Sequence, residues 1–125
     1  MATIKSYTDL SQSKKLAEIL PLESADMCWQ KIYDENHLLS DYRIELLPFR
    51  LYSGLGVPAW SLVALLDILP ILERKGYQKA KPRLLYGVIT NKWIVDSHFY
   101  TTGVYDNQID ACVDMIIKLH ELKKL

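Results

Sequence analysis

The sequence predicts an α+β fold of sandwich type: an antiparallel or mixed sheet of three to four strands packed against two or three helices. Three observations predict it. Residues 42–47, "YRIELL", alternate between apolar and polar as a half-buried strand does. Two further strand-like runs, "RLLYGVI" and "KWIVDSHFY", stand either side of a short "TNK" link, which reads as a β-hairpin at about 83–100. Three stretches, at about 8–20, 58–69 and 106–123, carry helical patterns or helix signals. Strands and helices in this order make a layered α+β arrangement in a single domain.

The first helix carries Leu10, Leu16, Ala17, Ile19 and Leu20 between polar residues, with Thr8 as its expected N-cap and Pro21 closing it. Residues 22–40 have no clear period and read as a loop holding a short strand around 27–32. The alternating strand at 42–47 is ended, or placed at an edge, by Pro48. The helix at 58–69 is apolar nearly all round, so it is expected to be buried on most sides. Pro70 disfavours helical geometry at Leu69 and stops it.

"RLLYGVI" is apolar on both faces and suits a central strand. "KWIVDSHFY" sets Trp93, Val95 and Phe99 on one face, and Asn91 suits a left-handed turn position. In the last helix Ile109, Cys112, Val113, Ile116 and Leu119 recur at three and four, behind an expected cap at Asp106 and with lysines at the far end. Such a stripe docks on the sheet. "EILPLE" and "DILPILE" are similar helix stops, with no matching flanks to make them a repeat.

Composition narrows function more than it identifies it. The 125 residues carry 15 basic and 15 acidic side chains, so no net field draws in nucleic acid, whose binding is disfavoured. The apolar run from Leu62 to Leu72 is interrupted by Asp67 and Pro70 and falls short of a bilayer span. "MATIKSYTDL" has no apolar signal region, which places the protein in the cytoplasm. Cys28 and Cys112 stand apart with no CxxC or Cys/His cluster, and read as free thiols of the core. Neither a metal nor a cofactor is expected.

Two glycines in "GLGVPAW" precede the middle helix, where phosphate cradles are found. Pro58, Trp60 and Leu62 replace the N–H, lysine and hydroxyl groups such a cradle needs. The glycines are therefore expected to turn the chain, with Pro58 in the first helical turn and Trp60 as an anchor. Asp106, Asp110 and Asp114 lie one helical turn apart and read as a solvated face. The tyrosines and tryptophans have no basic partners to make them a stacking surface for bases.

Three blocks, "PAWSLVALLDIL", "NKWIVDSHFY" and "YDNQIDACVDMIIKLHEL", resemble small uncharacterised phage and prophage proteins with the phage α/β/α sandwich domain. The matching residues are Ala59 and Trp60, Trp93 and Val95, and Asp106, Ala111 and Cys112, and the resemblance covers about the last 70 residues. It implies a sandwich fold and a mobile-element origin. It implies no activity, since that family has no established catalytic residues to carry over.

The leading expectation is a non-catalytic phage-type accessory protein that acts on an unidentified protein partner. The alternative is a small-ligand or nucleotide binder, sequestering a signalling molecule through the polar and aromatic segment Asp96, His98, Tyr100, Tyr105 and Asp106. A third reading is a small hydrolase or transferase using His98 with an aspartate. A homodimer through the strand near Tyr42 is a further candidate, opposed by Pro48, Arg43 and Glu45.

Overall fold

The computed structural model describes residues 5–33, 42–73, 76, 78–97 and 99–125. In chain order it contains α1 (Leu10–Ala17), β1 (Met27–Tyr33), β2 (Tyr42–Pro48), β3 (Val57–Ala59), α2 (Leu62–Ile68), β4 (Arg83–Gly87), β5 (Lys92–Asp96) and α3 (Gln108–Glu121). The class is α+β with antiparallel pairing. The strands form two sheets: one of order β2-β1-β3, and a separate β4-β5 hairpin.

Each cap falls one residue beyond the one the sequence suggests. Asp9, not Thr8, caps α1 in a reciprocal box with Gln12, its carboxylate accepting from the Gln12 N–H at 2.7 Å. Thr8 is buried instead, its Oγ1 within 2.7 Å of Ser13 Oγ. Asn107, not Asp106, caps α3, accepting from the Asp110 N–H at 2.8 Å.

The middle helix is the larger correction. Pro58 and Ala59 belong to β3, where Val57–Ala59 pairs antiparallel with Met27–Trp29. The next residue is tied down too: the Thr8 N–H donates to Trp60 O at 2.9 Å, and the Trp60 N–H to Thr8 Oγ1 at 3.1 Å. Residues 58–60 are thus held extended, and the helix starts after Ser61, whose hydroxyl accepts from the Ala64 N–H at 3.3 Å. Asp26 holds Ser61 through both its N–H and its hydroxyl. Nor is α2 buried on most sides: Leu65 is fully buried, whereas Val63 is 77% exposed.

Gly54 takes a left-handed φ of 89°, the turn expected of it. Gly56 is required for a different reason. A Cβ there would lie 2.6 Å from Trp29 O and 2.6 Å from Gln30 Cγ, so it lets the chain press against β1. Both glycines serve the entry to β3, and no helix begins at either.

Trp60 is fully buried and its indole N–H donates to Ser24 Oγ at 3.0 Å. Around it lie Leu16 of α1, Leu65 of α2, Leu69, Val95 of β5, and Ile109, Cys112, Met115, Ile116 and Leu119 of α3. Helix α3 touches α1, α2, β4 and β5, and is the element on which the others converge. In the hairpin Asn91 has φ 55°, as expected. However, β4 is not a covered central strand. Leu85 and Tyr86 are exposed, and Val88 and Ile89 lie in the turn, with Ile89 98% exposed. Among the described residues no helix is long and apolar enough to cross a membrane.

Candidate functional site

Strand β5 ends at Asp96, four residues sooner than its alternation suggests, because Ser97 turns the chain. Its N–H donates to Tyr100 O at 3.0 Å, and its Oγ accepts from the Tyr100 N–H at 3.1 Å. The returning segment then pairs back on β5: Thr101 bridges Asp96 and Tyr105 bridges Trp93. From Thr101 to Tyr105 the chain thus returns against β5, and it then leads into α3.

Of the five residues singled out there, the four that are described separate into three places. Asp96 accepts from the Thr101 hydroxyl and lies 3.8 Å from the Arg83 guanidinium. Asp106 pairs with Lys92. Tyr100 and Tyr105 are brought together, but by a residue whose spacing predicts a solvated face: both phenols donate to Asp114, at 3.0 Å and 2.7 Å. No hydrogen bond or ion pair joins Asp96 or Asp106 to that trio. His98 lies outside the described residues.

The electrostatics follow from these contacts. The hydrogen bond to Asp114, with burial and the carboxylate's charge, pushes the Tyr105 phenol up to about 12. Burial and the same carboxylate raise Tyr100. The Lys118 ammonium sits 5.5 Å from the Tyr100 ring centroid. Two phenols held protonated on one carboxylate make a brace between the β5–α3 segment and α3.

A second cluster adjoins it. Lys5 donates to Asp9 at 3.0 Å, to Gln12 at 2.7 Å and to Asp110 at 2.8 Å; Asp110 also accepts from Gln12 at 2.7 Å and Asn107 at 2.8 Å. Burial works against the Lys5 ammonium, but the hydrogen bonds to Asp110 and Asp9 outweigh it and hold its pKa above the usual lysine value. Burial likewise works against Asp110 as an anion, and Lys5, Asn107 and Gln12 together bring it below the usual aspartate value. Lys5, Asp9, Gln12 and Asp110, with Tyr105 and Asp114, line a groove of about 390 Å³ between α1 and α3. Its polar atoms are largely engaged with one another.

The regularly spaced row Asp106, Asp110 and Asp114 therefore serves three separate partnerships. Their spacing was the one signal in the sequence; Lys5, far away in the chain, gave none. Among the described residues no group of three or more His, Cys, Asp or Glu side chains is placed to hold a metal.

A larger groove of about 570 Å³ runs along α2. Val63, Ala64 and Leu66 are among its apolar lining, and Glu23, Asp26 and Asp67 supply carboxylates. Lys81 also lines it, with its ammonium on Leu66 O at 3.2 Å.

Neither cysteine is set up as a nucleophile. Burial pushes the Cys112 thiol up to about 12 and raises Cys28, the reverse of nucleophile activation. The Ser97 hydroxyl is occupied by its own turn. Fold and surface together define a small α+β protein with an internally satisfied polar brace and an open, acid-flanked apolar groove. No family model, curated protein or solved structure matches the chain.

Proposed function

We propose that this is a non-catalytic accessory protein of phage or prophage type, working in the cytoplasm by binding a protein partner, and that the partner docks along α2. The carrying observation is Val63, an aliphatic side chain 77% exposed on a helix flanked by three carboxylates. Val63, with the partly buried Ala64 and Leu66 beside it, offers a partner an apolar anchor point. Glu23 and Asp67 select for basic groups beside the partner's apolar anchor, since Asp26 is engaged by Ser61 and the local cation, Lys81, is on a carbonyl. The resemblance of the blocks from Ala59 onward supports the phage part of the reading.

The test is capture of a partner by the wild-type protein, with Val63→Asp and Asp67→Lys variants alongside. A partner held by wild type, weakened by salt and lost to both variants supports the proposal. A partner held equally by all three, or substrate turnover by the purified protein, removes it. A gene lying far from phage genes counts against the phage part alone.

The ligand-binding alternative draws on the groove between α1 and α3, whose volume falls within the range of small-molecule sites. Its ammonium, Lys5, is already engaged by two carboxylates, which disfavours an anionic ligand such as a nucleotide. Thermal-shift screening decides: stabilisation by a nucleotide, abolished by Lys5→Met, favours this reading, and no stabilisation discards it.

A further inference from the structure

We infer that a second copy of this chain docks on the outer edge of β4, so that two hairpins join into one four-stranded antiparallel sheet about a twofold axis through Leu85. The argument begins on β5. Trp93 exchanges both main-chain hydrogen bonds with Tyr105, at 2.7 Å and 2.9 Å. Val95 accepts from the Thr102 N–H at 3.0 Å and donates to Thr102 Oγ1 at 2.9 Å. Both residues therefore turn their N–H and C=O groups away from β4.

In an antiparallel ladder, opposed residues either exchange both hydrogen bonds or both turn away. Tyr86 stands opposite Trp93 and Leu84 opposite Val95. Leu84 and Tyr86 consequently direct their main-chain donors and acceptors outward, where no other described strand pairs with β4. The edge is a template for a further strand.

What that strand should be follows from register. With Leu85 on the axis, a second β4 running antiparallel sets Leu84 against Tyr86 and Tyr86 against Leu84, so the outward groups of one copy meet those of the other. On the outer face Ile94, Leu85, Leu85 and Ile94 then stand in one apolar row. The single charge on β4, Arg83, comes opposite Gly87, so no two charges of the paired β4 strands face each other. The turn residues Val88 and Ile89, both strongly exposed, come beside the segment that leads into the other β4. Self-complementarity at every position is what a twofold interface demands.

The other outer edges do not offer it. β2, the edge strand near Tyr42, carries Arg43, Glu45 and Pro48, and β3 is three residues long with Pro58 at its centre. The far side of β5 is covered by Thr101 to Tyr105.

The experiment pairs sedimentation equilibrium with cysteine cross-linking. Wild type is expected to run as a dimer and Leu85→Lys, which places two ammonium groups on the axis, as a folded monomer by circular dichroism. In Leu85→Cys the two thiols face each other across a non-hydrogen-bonded pair, with Cα atoms about 4.5 Å apart, within disulfide reach. Mild oxidation should give a covalent dimer at least tenfold faster than it does for Ile44→Cys on β2. A wild-type monomer at high concentration overturns the inference. So does cross-linking of Ile44→Cys as fast as, or faster than, that of Leu85→Cys, and that comparison decides even if Leu85→Lys fails to fold.

Discussion

Asp114 stands one helical turn beyond Asp110 and two beyond Asp106, yet the three carboxylates share no ligand. Asp114 holds two phenols, Asp110 an ammonium and two carboxamides, and Asp106 a surface lysine. Replacing Asp114 with Ala should cost about 1–3 kcal/mol, because two part-buried phenols lose a charged acceptor. Ultraviolet titration of the same variant should show Tyr105 returning from about 12 toward the ordinary tyrosine value. A Tyr105 pKa unchanged in Asp114→Ala would refute the brace. The Lys5–Asp110 pair makes a pH prediction of definite sign. Asp110 is depressed in the folded state, so its contribution is complete above the ordinary aspartate range and is lost as pH falls through its lowered value. Lys5 is raised, so its contribution is complete below the ordinary lysine range and is lost as pH rises through its raised value. Urea unfolding of Asp110→Asn across pH should therefore show a deficit at neutral pH that shrinks in acid. A deficit that is constant down to strong acid would mean the pair adds nothing through its charge.

At the scale of elements, the stretch from Gly54 to Ser61 is where chain-local signals and the fold part company. Proline ahead of an apolar run is a good helix opening, and Ser61 is an equally good cap. Local sequence does not choose between them. The choice is made by β1 and by Thr8, which together hold residues 57–60 extended and leave Ser61 the first residue free to cap. The same contact explains why the two glycines are not equivalent. Gly56→Ala drives a methyl group into Trp29 O and should cost about 1–3 kcal/mol as an overpacking change. Gly54→Ala meets nothing within 4 Å and carries only the left-handed backbone penalty, about 1–2 kcal/mol. Paired urea titrations check this. A third variant, Gly56→Ala with Gln30→Ala, should recover little, because the carbonyl of Trp29 remains in the way; full recovery would show that the side chain alone was the obstacle.

Across the whole molecule, one apolar cluster draws on α1, α2, α3, β5 and the Trp60 segment, so the parts have little to stabilise them separately. Near-ultraviolet signals from Trp60 and far-ultraviolet helix signals should accordingly be lost in one coincident transition. Two separated transitions would show that the β1–β2–β3 sheet and the α3 layer are independent. The α+β class, the hairpin, Asn91 at its turn, the edge position of Pro48 and the stripe of α3 were all legible in sequence, because each rests on contacts within a few residues or on a period that one buried face imposes. The candidate site is legible only in part: the sequence points to Tyr100 and Tyr105, but the spacing of Asp114 predicts a solvated face and nothing local marks Lys5. The partition of the strands into two sheets, the exposure of β4 and Val63, and the pairing of Lys5 with Asp110 depend on which distant segments meet. By itself the sequence determined the α+β class, the β4–β5 hairpin and which face of α3 is apolar, since backbone sterics and side-chain periodicity act locally. Only the tertiary structure decided which apolar residues stay in water and which charges find partners, because burial and pairing are properties of two surfaces and a local pattern describes one.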